Sequence, residues 1–227
     1  MSSSRRINVG SGGPLEHLAH YSRALRAGPW VMQSGTIAID TEGAVIGVGD
    51  VVRQVDAIVD IAASAMPAAG GKLEDVVRSR IYVTDIELAD KAGWAVDQHF
   101  RDIRPAATLV QVNRLARLEQ LIKIEFDALD GAAQHAVRFD SERPSETTYA
   151  YSRAVRMGDQ IFVSGSTAMT GGGGIAYPDD MCPRTGATLD TITEALSSRR
   201  GDVWRAWFTP RPTSLICNAL ENRLRLS

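Results

Sequence analysis

Tyr21-Ser22-Arg23-Ala24-Leu25-Arg26-Ala27-Gly28 and Tyr151-Ser152-Arg153-Ala154-Val155-Arg156-Met157-Gly158 are one phrase written twice, 130 positions apart. At that offset the chain matches itself without a gap. Ser34-Gly35 falls on Ser164-Gly165, Ala38 on Ala168, Asp50 on Asp180 and Asp60 on Asp190. Two copies of a short unit are too few for a solenoid, so a repeat of this length is a whole domain.

The first copy reads element by element. Residues 21–27 and 30–38 are rich in strand formers and are parted by Gly28-Pro29, which predicts a hairpin. Asp50 is placed to cap a helix running to about Met66, with Val52, Val55, Val59 and Ala62 as its apolar stripe. Val77, Ser79, Ile81 and Val83 alternate with Arg78, Arg80, Tyr82 and Thr84, the period of a strand. Leu88 to Phe100 predicts a weaker helix interrupted by Gly93, and two strands follow, 108–115 and 121–129. In the last of these Ile122, Ile124 and Phe126 face one way and Lys123, Glu125 and Asp127 the other. The order is ββαβαββ, an α+β layer with two helices on one face of a mixed sheet.

Around this domain, residues 1–19 read as an N-terminal extension and 131–148, rich in Gly, Ser, Pro, Glu and Thr, as a linker. Residues 149–196 are a partial second copy. Its hairpin tip, Gly171-Gly172-Gly173-Gly174, reads as a flexible loop, because no GK[ST] follows it as a phosphate-binding loop requires. The Ala187 to Leu196 stretch resembles the first helix.

Composition narrows the function classes. A net charge of −2 does not suit a nucleic-acid binder working through phosphates, and no apolar run approaches a membrane span. Residues 1–13 lack the apolar core of a secretory signal. Cys182 and Cys217 form neither a CxxC motif nor a disulfide framework, which points to a reducing, cytoplasmic setting. His17 and His20 are spaced like a helical metal pair, but no further ligand lies near, so no metal site and no cofactor is expected.

Together, YSRALRAGPWVMQSG, YSRAVRMGDQIFVSG, DVVRSRIYVTDI, RPAATLVQV and LIKIEFDAL resemble the successive signatures of the Rid family, also called YjgF or reactive-intermediate deaminases. The resemblance covers nearly all of residues 20–129 and again about 150–196. It implies a chorismate-mutase-like fold, a trimer or pseudo-trimer with clefts between subunits, and hydrolysis of small enamines or imines to a keto acid and ammonia. It implies that Tyr21 belongs to the cleft and that Ser34, Gly35 and Thr36 contact ligand through hydroxyl and backbone amide. The deaminating members carry a carboxylate-binding Arg where this chain has Ala107, so specificity is expected to differ. Arg104, three residues earlier, reads as a solvated loop residue. The water-positioning carboxylate falls on Glu125 in one register, while another puts Lys123 there.

Three functional readings follow. One is a Rid-like hydrolase of altered specificity, with Tyr21 and Glu125 as catalytic residues. The second is a non-catalytic member that binds a small ligand or serves as a scaffold. The third, nucleic-acid cleavage or translation inhibition, gains nothing from the charge balance.

The tail, 197–227, leaves the pattern. It carries six Arg against Asp202 and Glu221, about +4, in a chain with 22 Arg and 3 Lys. Read one nucleotide earlier with suitable codons, Arg205 to Thr213 would give a string very like Ile81 to Ile86 and its lead-in. The tail therefore reads as a frameshift product with incidental basic charge, expected to be poorly ordered.

Overall fold

A computed structural model describes residues 6–141, 143–170 and 173–197. Two compact units divide the chain, Met1–Ser164 and Gly165–Ser227.

The first unit is built on a mixed sheet in the order β1-β2-β3-β6-β4-β5. Its elements are β1 (Ile7–Val9), α1 (Pro14–Ala19), β2 (Ala24–Ala27), β3 (Trp30–Thr36), α2 (Val51–Ala65), β4 (Val76–Val83), α3 (Ala89–Phe100), β5 (Ala106–Gln111) and β6 (Ile122–Leu129). From β2 to β6 this is the expected ββαβαββ order. Only β4 and β5 run parallel, and α3 makes the crossover between them.

Local chemistry starts and stops these elements. Gly28, at φ 60°, closes the β2–β3 hairpin. Asp50 caps α2, its carboxylate accepting from the amides of Val52 at 3.0 Å and Arg53 at 3.2 Å. The buried face of α2 is Val51, Gln54, Val55, Ile58, Val59, Ala62 and Ala65, whereas Val52 is half-buried. The stripe is therefore rotated from the expected one. Gln54 enters it because its amide donates to the carbonyls of Gly47 and Glu119 and accepts from the Leu121 amide, satisfying loop backbone beneath the helix.

The apolar sides of α2 and α3 close over one face of the sheet. There Ile81, Val83, Ile122, Ile124 and Phe126 form the main core with Phe100, whose ring stacks on Phe126 at 5.2 Å. Helix α3 is continuous through Gly93. The glycine is there for space: a Cβ would sit 2.5 Å from the ring of Tyr149. Strand β5 ends at Gln111 and not at residue 115, because its ladder with β4 ends where Val83 meets Gln111.

The segments expected as extension and linker are structured. Strand β1 pairs with β2. Residues 131–148 hold α4 (Ala132–His135), β7 (Val137–Phe139) and α5 (Pro144–Thr148). Strand β7 pairs with β8 (Ala154–Met157), which pairs with β9 (Gln160–Val163), giving a second, three-stranded sheet. It covers one end of the first sheet's open face, where Val155 and Phe162 pack with Val77, Ala106, Leu129 and Ala132, and Phe162 meets Trp30 edge-on at 5.6 Å.

The hydrogen bonds at the two hairpins coincide at the 130-residue offset. Ser11 donates to Glu16 from its amide at 2.7 Å and its hydroxyl at 2.5 Å; Ser141 does the same to Glu146 at 2.7 and 2.5 Å. Arg23 Nε meets Glu16 at 3.0 Å, and Arg153 Nε meets Glu146 at 3.0 Å. Ser34 Oγ donates to the Ser22 carbonyl at 2.6 Å, and Ser164 Oγ to the Ser152 carbonyl at 2.6 Å.

In the second unit, Met169 bridges Ile175 and helix α6 spans Met181–Ser197, with Asp180 accepting from the Cys182 amide at 3.0 Å. Gly171, Gly172, Cys217 and the tail from 198 onward, including its proposed frameshift origin and expected disorder, lie outside the described residues. Cys182 is not a free thiol, contrary to the expectation of unpaired cysteines. Among the described residues no helix is long and apolar enough to cross a membrane.

Candidate functional site on the open face of the sheet

Alternation along β4 and β6 sends one set of side chains into the core and the other onto the open face. That second set is Arg78, Arg80 and Tyr82 on β4, directly opposite Asp127, Glu125 and Lys123 on β6. Asp127 accepts from Arg78 at 2.7 Å and from Arg80 at 3.1 Å. Glu125 Oε2 accepts from Arg80 at 3.2 Å and from the Tyr82 hydroxyl at 3.4 Å. Burial, and then the Glu125 charge, push the Tyr82 phenol above its ordinary pKa. Glu125 is 29% exposed, so its carboxylate is held in place yet reachable. It pairs across to β4, not with Lys123.

Strand β3 borders β6 on the other side, and its register breaks between Gln33 and Thr36. Ser34-Gly35 form this bulge, a device that re-aims side chains beside a site. A Cβ on Gly35 would lie 1.9 Å from Lys123 Cε, so the lysine side chain crosses the glycine. The Tyr21 hydroxyl accepts from Arg23 at 2.8 Å, and the Arg23 guanidinium lies 5.2 Å from the centre of its ring. Arg23 is itself fixed by Glu16. Burial pushes the Glu16 carboxyl up, but the Ser11 hydroxyl and amide and the Arg23 guanidinium outweigh this and hold its pKa below the usual value.

Two residues expected to contact ligand have other partners within the chain. Thr36 is fully buried; its hydroxyl donates to the Ser34 carbonyl and accepts from Arg23 and Gln33. It braces the floor of the site. Ala107 is not brought beside Ser34 in this chain. Strand β5 lies three places from β3 in the sheet, about 14 Å at ordinary strand spacing. The Ala107 amide instead donates to Ser164 Oγ at 2.9 Å, while the Ser152 amide donates to the Pro105 carbonyl at 3.1 Å. Arg104 is not a solvated loop residue: it holds Asp140 at 3.0 Å and the Tyr151 carbonyl at 3.4 Å. The structure thus sets Ser34 and Gly35 on β3 beside the strand of Glu125, leaves Tyr21 just ahead of β2, and sets Ala107 against the second hairpin.

The Arg78–Arg80–Tyr82 row escaped notice as part of a site. Its signal was the alternation already used to predict the strand, set beside the opposite alternation in β6.

Comparison with known proteins agrees with this fold. The family model described as Endoribonuclease L-PSP matches residues 14–130. A RutC family protein of Pyrococcus abyssi is 30% identical over 105 residues, 46% of this chain and 82% of that protein. The 3-aminoacrylate deaminase RutC of Acinetobacter baylyi is 31% identical over 107 residues, 47% of this chain and 84% of that protein. Among solved structures, a Mycobacterium tuberculosis member of the YjgF family is 37% identical with a TM-score of 0.50, covering 55% of this chain and 99% of its own. The chain belongs to the Endoribonuclease L-PSP family, the Rid or YjgF family.

Proposed function

We propose that residues 20–130 carry a small-molecule site and hydrolyse an imine, enamine or related reactive metabolite. Water would add to the imine carbon, the C–N bond would break, and ammonia would leave with the transferred protons. The observation that carries this reading is Glu125, an accessible carboxylate held by Arg80 and Tyr82 beside the strand that bears Ser34-Gly35. Such a group can orient a water and accept its proton. Tyr21, whose oxygen is engaged by Arg23, keeps its hydroxyl hydrogen for a ligand atom. The deaminase activity named for the Acinetobacter relative lends support.

Ala107 favours a second reading, a ligand-binding or scaffold member without turnover, since position 107 offers no cation and its amide is taken by Ser164. Ammonia release from an enamine generated in situ separates the two. The hydrolase reading expects a native rate above spontaneous hydrolysis that Glu125→Gln lowers by about 10²-fold or more. No native rate, with activity gained on Ala107→Arg, leaves the binding reading.

We further propose that residues 137–196 are a partial second copy of the family domain. The recurrence of the Glu16, Arg23 and Ser34 bonding at Glu146, Arg153 and Ser164 supports this. The assembly we favour is a homo-oligomer, trimer or pseudo-trimer, in the cytoplasm, taking a small-molecule ligand and neither nucleic acid nor membrane.

A further inference from the structure

The repeat builds one docking surface twice, and among the described residues only one of the two is filled. In the second hairpin Ser164 Oγ donates to the Ser152 carbonyl, and the start of β5 enters beside this pair. The Ser152 amide donates to the Pro105 carbonyl at 3.1 Å, Ser164 Oγ accepts from the Ala107 amide at 2.9 Å, and Ala106 bridges Ser152 in parallel register. Ser152 and Ser164 are buried, 0% and 3% exposed.

The first hairpin repeats the arrangement without the strand. Ser34 Oγ donates to the Ser22 carbonyl, and the Ser34 amide donates to the Arg23 carbonyl at 3.0 Å, just as the Ser164 amide donates to Arg153 at 3.0 Å. The residues leading in, His20 and Ala150, share a left-handed turn at φ 52° and 47°. Here, however, the Ser22 amide has no partner among the described residues, and Ser22 and Ser34 are only half-buried. An edge amide left open in this way is a template for pairing with another strand. Which strand fits is shown by the chain itself: Pro105 to Ala107 satisfies the same groups 130 positions further on.

We propose that the Ser22–Ser34 edge takes the Pro105–Ala107 segment of a second copy of this chain, and that the hairpin at 154–163 covers that segment until it is exchanged. Each chain has two hairpins of matching form and one such segment, so the internal hairpin competes with the incoming one. The internal hairpin is favoured by its tether, equivalent to a local concentration on the order of millimolar. It is also favoured by contacts of its own, because Val155 and Phe162 pack with Val77 and Ala106, and Asp140 pairs with Arg104. Asp140 falls on Gly10 at the repeat offset, so the first hairpin cannot replace that ion pair. Closed chains therefore predominate in dilute solution, and the homo-oligomer forms by exchange as concentration rises. This inference stands apart from the hydrolase reading of residues 20–130.

The test is sedimentation equilibrium of the full chain, with hydrogen exchange read on the separated species. Two matched substitutions should act in opposite directions. Ser164→Ala removes the acceptor for Ala107 from the covering hairpin and should strengthen association by about tenfold. Ser34→Ala removes the equivalent acceptor from the receiving edge and should weaken it by about tenfold. Each also loses the same internal bond, to the Ser152 or the Ser22 carbonyl, so a general loss of hairpin stability cannot give opposite signs. Asp140→Asn loosens the cover while leaving both serine pairs intact and should strengthen association in the same sense as Ser164→Ala. In the associated species residues 154–163 should exchange faster while the Ala107 amide stays protected. Changes of the same sign at Ser34 and Ser164, or no association of Ser164→Ala and Asp140→Asn at about millimolar concentration, overturn the proposal. So does an oligomer in which 154–163 keeps its full protection, because the copies are then joined by another surface.

Discussion

Replacing Gly93 by alanine sets two effects of known size against each other. Gly93 lies inside α3, where alanine is the better helix former by about 0.8–1 kcal/mol. In an exposed helix the substitution would stabilise by that amount. Here a Cβ would meet Tyr149 Cδ1 at 2.5 Å, Cγ at 3.0 Å and Cε1 at 3.1 Å. Ordinary contact begins near 3.4 Å, so the ring must retreat by about 1 Å. It is tethered, because the Tyr149 hydroxyl donates to Asp90 at 2.5 Å, and Asp90 lies one turn earlier on the same helix. Retreat therefore costs the hydrogen bond, about 1 kcal/mol, and displaces a packed ring, about 1–3 kcal/mol. The loss exceeds the propensity gain, and Gly93→Ala should destabilise the chain by about 1–3 kcal/mol.

A double-mutant cycle isolates the cause. With Tyr149→Ala already present nothing remains to clash, and Gly93→Ala should recover its propensity gain of about 0.8–1 kcal/mol. The coupling between the two positions is then about 2–4 kcal/mol, read from urea unfolding midpoints at constant slope. If Gly93→Ala stabilises both backgrounds equally, Tyr149 does not rest on α3, and the docking of residues 144–149 on the first domain is refuted.

Tyr149 should also betray itself in alkali. The hydrogen bond to Asp90, with burial, pushes its phenol up to about 12. That contribution to stability is complete below the ordinary tyrosine value near 10 and is lost as pH rises toward about 12. Ultraviolet titration should show Tyr149 among the late-ionising tyrosines, with Tyr82 also raised, and Tyr149→Phe should remove the step near 12. Glu16→Gln leaves Arg23 buried without its counter-charge and should cost about 3 kcal/mol. Because the Glu16 pKa is lowered, its contribution is present above about pH 4.5 and lost as pH falls below that; the variant should unfold with less dependence on acid. Asp50→Ala removes two accepted amides from the start of α2, an expected loss of about 1 kcal/mol in thermal or urea unfolding.

What the residues disclosed and what they hid divide along a physical line. Local chemistry was legible. Asp50 announced a cap, Gly28-Pro29 a turn, and the alternation of Ser79 to Val83 a half-buried strand, because each depends on neighbours a few positions away; the register shift at Val76–Arg78 instead turns Val77 to the other face and Val76 into the core. Long-range satisfaction was not. Gln54 stands outside the expected apolar stripe, and only the loop carbonyls of Gly47 and Glu119 explain its burial; Gly93 reads as a helix fault until Tyr149 is laid across it. Likewise Thr36 reads as a ligand hydroxyl until Arg23 and Gln33 claim it. Composition misled at 131–148, where Gly, Ser and Pro suggested a linker. The better signal was the repeat itself: Ser11, Pro14, Glu16 and Arg23 recur as Ser141, Pro144, Glu146 and Arg153 at the offset already found.

That recurrence bears on how the site is divided. Among the described residues β9 has no strand beside it as β3 has β6; the hairpin at 154–163 seats against β5 of the first domain through Ser152 and Ser164. Ser164 there meets the backbone of Ala107, a position without charge. Ser34, its counterpart, borders β6 and so lies near Glu125 and Lys123. Two similar hairpins thus stand in opposite surroundings, one against the Ala107 edge of β5 and one beside Glu125 and Lys123 of β6.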